Sequence, residues 1–456
     1  MSFDLIIRNG IVVTGERIES ADIGIRDGKI VDLGDLKQAS TAEVLDAKGL
    51  HVLPGVIDTQ VHFREPGLTH KEDLETGTKA AILGGVTTIF DEPNTSPTTT
   101  AEEALRDKLE RAKGRAWCDY AFWVGASKEN LDQLAHLDTL EGSPGIGEVF
   151  MGSSTGPLLV DSDEDLRKVL QNGTRRVSVH AEDEARNLDR RARWNAGNLE
   201  EDPTLGYPLT GTVADHPHIR DSESARLATR RILKLAEETG RPIHILHLST
   251  AEEVLEIEAA RLRGVDVTVE ITPQHLWFAA PGCYERLGAL AQMNPPIRSG
   301  YHRAALRDAF QKGFFNVIGS DHAPHTREEK SKAYPHTPSG MTGVQTLLPV
   351  MLTLVKQGFT DLRTVVRMKS EQPARIFSAK GKGRIAPGYD ADLVLLDPNQ
   401  AFVVDEAWLA SRCGWSPFAG ETLYGRPENV ILRGQVAARA GQPWGLASGN
   451  PVFFNQ

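Results

Sequence analysis

Eight short apolar or β-branched runs, each followed by a helix-compatible stretch, recur at 55–61, 86–90, 120–124, 146–150, 177–180, 243–248, 265–271 and 314–318. Between them, stretches such as 74–83, 222–238 and 251–263 space apolar residues three and four apart under charged outer faces, the pattern of amphipathic helix. This alternation predicts an α/β chain with a parallel sheet, and eight repeats predict a TIM-like (β/α)8 barrel, whose reactive side chains gather at the C-terminal ends of the strands. At 456 residues the chain is long enough to carry a smaller companion domain. Residues 1–50 read as short strands, with Asn9-Gly10 and Asp27-Gly28 between apolar runs as hairpin turns. The same texture returns at 391–396 and 430–436, so the two ends, 1–53 and 385–456, are expected to pair as one β-sandwich beside a barrel of 54–384. The polar stretch 184–220, rich in Arg, Asp, Gly and Pro, reads as an elaborated loop over the barrel mouth.

Charge and composition narrow the partners. The chain carries 51 Lys plus Arg against 62 Asp plus Glu, a net charge of -11, with no long basic run. Nucleic acid and anionic membrane surfaces need clustered cations and are not expected as partners. No stretch approaches the ~20 apolar residues of a membrane span. Cys118, Cys283 and Cys413 lie far apart, which argues against a disulfide framework or a thiolate metal site and for a reducing cytoplasm. There is no Walker A or Rossmann glycine fingerprint, so no nucleotide cofactor is expected.

The ends of the expected strands are rich in chemistry. The first runs into Asp58-Thr-Gln-Val-His62, the fourth holds Glu148, the fifth ends at His180, the sixth at His247, and the eighth leads into Ser320-Asp321-His322. A two-residue period puts Asp58, Gln60 and His62 on one face. Any one of these histidines alone reads as a hydrogen-bonded structural residue, but His62, His180, His247 and Asp321 at separate strand ends form a ligand inventory suited to zinc. Glu148 is either a further ligand or the partner of a nearby cation, and Gln60 a weak ligand or a strut. His244 and His275 are assigned to structure. Zinc with an open position acidifies water and polarises a carbonyl, which suits amide hydrolysis, and Asp321 could carry the water proton to the leaving nitrogen. Gly152-Ser-Ser-Thr-Gly156 lacks the Gly-x-Ser-x-Gly elbow and reads as a loop offering backbone N–H groups. Arg64 and Asn94 suit a substrate carboxylate, unless Arg64 is spent on Glu65 or Glu72.

Several segments resemble dihydroorotase and, more widely, the cyclic amidohydrolases. They are Pro54–Lys71, Asp91–Thr95, Phe150–Gly156, Asn294–Arg298, Asp321–His325 and Gly383–Leu393. The resemblance covers essentially the whole chain. It implies a barrel plus a β-sandwich from both termini, and zinc-dependent interconversion of dihydroorotate and N-carbamoyl-aspartate in pyrimidine synthesis. It also implies metal ligation by His62, His180, His247 and Asp321, with Asp321 the proton shuttle. Arg64, Asn94 and His325 match positions that hold the substrate carboxylate, and Asn294 a substrate contact. Allantoinases and hydantoinases resemble the chain in fold but usually lack the arginine.

Two departures stand out. The first-strand pair is usually His-x-His, and here its first member is Gln60; the lysine commonly found before Val149 is Glu148. Lysine there is carboxylated and bridges two metals, and the shorter Glu148 favours one zinc over two. Three readings follow: an active dihydroorotase-like hydrolase on a small anionic cyclic amide; an impaired homologue acting as a structural partner of aspartate transcarbamoylase; or a cyclic amidase for another carboxylated ring. Homo-oligomerisation is expected in each.

Overall fold

The computed structural model describes residues 2–152 and 156–455. Eight parallel strands build the barrel: β1 (Val56–Val61), β2 (Val86–Asp91), β3 (Asp119–Phe122), β4 (Val149–Phe150), β5 (Val177–His180), β6 (Ile243–Ile245), β7 (Val267–Ile271) and β8 (Val317–Ile318). They form one ladder of β1 to β3 and one of β4 to β8. Single bridges join the ladders, Val124 to Ile146 on one side and Val61 to His322 on the other, where the His62 N–H donates to the His322 carbonyl at 2.8 Å. All eight expected strands are present, several shortened by one to three residues at an end.

The barrel interior is layered. Phe90, Trp123 and Phe377 meet edge to face at its floor, joined by Val452 from the chain's end. Above them lies a buried polar layer. The Thr59 hydroxyl donates to Glu270 at 2.9 Å, Asp58 accepts the Ser320 N–H at 2.9 Å, and the Lys369 ammonium donates to the Ile318 carbonyl. The strand-end chemistry sits one layer higher still.

The two chain ends share a nine-stranded sheet, with 393–396 and 51–54 paired at its centre. Period two decides what each face touches. Val52, Leu393, Leu395 and Ile431 enter the sheet's own core, while Leu53, Val394, Leu396 and Val430 pack into the barrel's. Asp27-Gly28 is a two-residue hairpin turn, both residues at positive φ, between Arg26 and Lys29. Asn9-Gly10 is not a turn. Ser2–Val13 is one continuous strand, and Asn9, at φ 60°, makes a bulge where the register with Ile18–Arg26 shifts. The Asn9 N–H is taken by Asp22 at 2.9 Å, and a Cβ on Gly10 would come within 2.7 Å of Val52.

A buried ion cluster ties sheet to barrel. The Lys382 ammonium lies among Asp119, Asp390 at 2.9 Å and Asp392 at 2.8 Å, and Arg433 also reaches Asp119. These three carboxylates would otherwise resemble a metal site, but a lysine fills its centre.

The stretch 184–220 is not the loop expected from its polarity. Glu184–Asn195 is a helix, capped by Asp183, and His216–Ile219 is a short helical turn. Only Asn187 and Arg190 of the first are buried, and Arg190 donates to the His218 carbonyl at 2.8 Å, so polar contacts hold it and no apolar stripe marks it.

Candidate active site

One cavity of about 770 Å³ opens at the C-terminal end of the barrel, and His62, Arg64, Asn94, Glu148, His180, His247, Asn294, Asp321 and His325 all line it. The nine residues expected from strand ends and resemblance therefore share one space. Three of them, Arg64 (φ 54°), His247 (φ 35°) and Asp321 (φ 45°), hold left-handed backbone, a conformation costing about 1–2 kcal/mol for a residue with a Cβ.

At the cavity floor three donors converge. His180 Nδ1 lies 3.1 Å from Glu148 Oε1 and 3.1 Å from His247 Nε2, and the last two are 3.4 Å apart. The tautomer is set from behind. His180 Nε2 stands 2.7 Å from Glu182, which also receives the Arg220 guanidinium at 3.0 Å, so the Nε2 proton is held there and Nδ1 is the ring nitrogen that a metal ion would take, displacing the proton it otherwise carries. Burial works against charge on His180, yet hydrogen bonds to Glu148 and Glu182 carry its pKa up to about 9. Burial likewise opposes ionisation of Glu148, but His180 and His247 hold it well below the carboxylate range. Two imidazoles and a carboxylate at or beside the ends of three strands, with the second oxygen of Glu148 buried and without a hydrogen bond, fit a metal ion. His62 stands beside them: its Nε2 is 3.2 Å from Asp321 and 3.9 Å from Glu148, and its Nδ1 is 2.8 Å from Asn94.

Gln60 is buried with neither amide atom hydrogen-bonded among the described residues. The residues 153–155 of the Gly152–Gly156 loop lie outside the described residues.

The wall above is cationic. Arg64 is buried, donates to the Pro324 carbonyl at 3.2 Å and lies 3.4 Å from His325, and no carboxylate pairs with it among the described residues. Glu65 is taken by Arg115 at 2.8 Å, and Glu72 accepts from the Arg412 N–H at 3.1 Å. Burial lowers the Arg64 pKa to about 10, which leaves it charged at neutral pH. Burial, then the charges of Arg64 and Lys71, hold His325 far below the usual imidazole value, so it is neutral.

Four contributors escaped the sequence reading. Glu182 and Arg220 orient His180. His216 lines the cavity from the helical turn after residue 215. Glu92, just past β2, is buried with both oxygens unpartnered, and burial and Glu148 push its pKa well up. Its signal was present in Asp91-Glu92, a second acid at a strand end.

The amidohydrolase family model matches residues 51–437. The chain belongs to the amidohydrolase family. It is 35% identical to a dihydroorotase of Methanosarcina mazei over 446 residues, covering 95% of this chain and 94% of that one. It is 34% identical to an allantoinase of Salmonella choleraesuis over 451 residues, 96% and 95% of the two chains. The solved L-hydantoinase (dihydropyrimidinase) of Arthrobacter aurescens superposes with a TM-score of 0.92 at 29% identity, covering 99% of this chain and all of that one. These relatives make this amidohydrolase a cyclic amide hydrolase with a TIM barrel and a β-rich domain. No helix among the described residues is long and apolar enough to cross a membrane.

Proposed function

We propose that this amidohydrolase interconverts dihydroorotate and N-carbamoyl-L-aspartate in pyrimidine synthesis, with one zinc ion held by Glu148, His180 and His247 and flanked by His62 and Asp321. The observation that carries the reading is Arg64. A buried guanidinium without a carboxylate partner is costly unless the ligand supplies one, and Asn94 and His325 stand ready beside it. Allantoin and simple hydantoins bring no such carboxylate; dihydroorotate does.

A zinc ion there would polarise the ring carbonyl and acidify the attacking water. Arg64, Asn94 and His325 hold the carboxylate, which fixes the ring over the floor. Asp321, steadied by His62 at 3.2 Å, takes a proton from water as the oxygen bonds to the carbonyl carbon, then returns it to the ring nitrogen as the C–N bond breaks. Ring closure runs the same path backwards. One ion is favoured because Gln60 offers only a neutral amide where a second imidazole would be needed, and Glu148 is too short to span two metals.

The test is purified, zinc-loaded protein assayed for ring closure at mildly acidic pH and ring opening at alkaline pH, with allantoin, hydantoin and dihydrouracil in parallel. Turnover of dihydroorotate alone, abolished in Asp321→Asn, is expected. Turnover of another carboxylated ring instead would select the broader amidase. No turnover of any ring, with Asp321→Asn identical to wild type, would leave the role of structural partner to aspartate transcarbamoylase. Two tightly bound zincs per chain would overturn the single-ion assignment. A cytoplasmic homo-oligomer is part of the same proposal, and light scattering reads its size.

A further inference from the structure

Around the cavity, four side chains from separate segments run in series. The Arg191 guanidinium, on the helix Glu184–Asn195, lies 3.3 Å from the Tyr334 hydroxyl and over its ring. The Tyr334 hydroxyl lies 3.3 Å from His216 Nδ1. His216 Nε2 lies 2.9 Å from Asn294 Oδ1, 3.1 Å from the Met293 carbonyl and 3.5 Å from the Ser339 hydroxyl.

The proton positions in this series are determined by chemistry. Arginine has only donors, so the Tyr334 oxygen accepts from it and directs its own proton elsewhere. The Met293 carbonyl only accepts, so His216 Nε2 carries a hydrogen. Burial, aided by the charges of Arg220 and Arg191, takes the His216 pKa down to about 3, so the ring is neutral and Nδ1 is the acceptor that receives the tyrosine proton. The Asn294 atom facing Nε2–H is then the carbonyl oxygen, which leaves its NH2 to the cavity.

We infer that Arg191, Tyr334 and His216 are positioning residues that fix the Asn294 amide as a hydrogen-bond donor, so that this wall selects a substrate presenting a carbonyl or carboxylate oxygen and rejects one presenting N–H. The inference rests on the cavity being the cyclic-amide site but not on which ring occupies it. It adds a second point of recognition to the Arg64 fork. A ring held by the cationic fork also meets this amide donor, and a flipped ring would set N–H against NH2.

Two measurements test it. In protein labelled with ¹⁵N-histidine, the resonances lost in His216→Phe identify this ring, and they are expected to report the neutral Nε2–H tautomer at pH 7. An Nδ1–H tautomer or an imidazolium would overturn the assignment whether or not any substrate is turned over. In kinetics, Tyr334→Phe is expected to raise KM for the accepted ring about tenfold with little change in kcat. Asn294→Asp, which still accepts from His216 but has no donor, is expected to raise it on the order of a hundredfold. Unchanged KM in Asn294→Asp, or equal losses in kcat and KM with a lowered melting temperature in Tyr334→Phe, would show that the series merely supports the fold. Loss of all turnover in the wild type would refute the cyclic-amide reading while leaving the tautomer result to stand or fall alone.

Discussion

Glu182 shows how far a single side chain reaches into the site. It holds the His180 proton on one oxygen and answers the Arg220 charge with both, while burial is outweighed by these two partners and its carboxyl stays far below the usual range. Glu182→Gln keeps the shape but removes the charge, leaving Arg220 buried without a counter-ion and His180 free to change tautomer. Metal affinity is expected to fall about 10- to 100-fold, read by competition with a chromogenic chelator. At the other end of the cavity, Arg64→Met is expected to lower kcat/KM for dihydroorotate by about two to three powers of ten, some 3–4 kcal/mol. Side-by-side assays with an uncharged ring check it, since that ring should lose little. His62, His180, His247 and Asp321 were legible in the sequence because strand ends aim them all at one place. Arg220 and His216 were not, because their roles come from contacts across 38 and 78 residues that no local pattern records, and Glu182, only two residues past His180, shows its role only once Arg220 is folded against it.

Elements were legible in proportion to how apolar their buried faces are. The barrel strands are buried on both faces and read as short hydrophobic runs, whereas Glu184–Asn195 buries Asn187 and Arg190 and looks like a loop. Asn9-Gly10 misled for a related reason: a left-handed residue beside a small one suits a bulge as well as a hairpin turn, and only the pairing partners decide. Pairing between sheet and barrel is also electrostatic at one point. Burial would lower the Lys382 pKa, but Asp392, Asp119 and Asp390 raise it beyond its ordinary value. Lys382→Met strands these carboxylates in the interior, and a loss of roughly 3–5 kcal/mol is expected in urea unfolding. Lys382→Arg, which keeps the charge, should recover part of it.

For the molecule as a whole, the net charge of -11 describes the exterior, while neutral histidines inside govern its response to acid. His216, His275 and His302 are each taken down to about 3, chiefly by burial and in part by nearby arginine or histidine charge. His302 shows why geometrically: its Nδ1 accepts the Ala251 N–H at 3.2 Å and so carries no proton, and its Nε2 lies 2.9 Å from the Thr204 hydroxyl. In the unfolded chain these rings titrate near 6.5. Between that value and about 3 the unfolded state binds the more protons, so stability rises with pH across the window and is lost as pH falls through it. Each ring contributes a slope of about 1.4 kcal/mol per pH unit. Urea midpoints measured from pH 7 to 5 should fall steeply. His302→Gln, at a ring held by the Ala251 N–H and the Thr204 hydroxyl, should flatten that fall by about one proton, whereas an unchanged slope would mean that the ring is already charged in the folded protein.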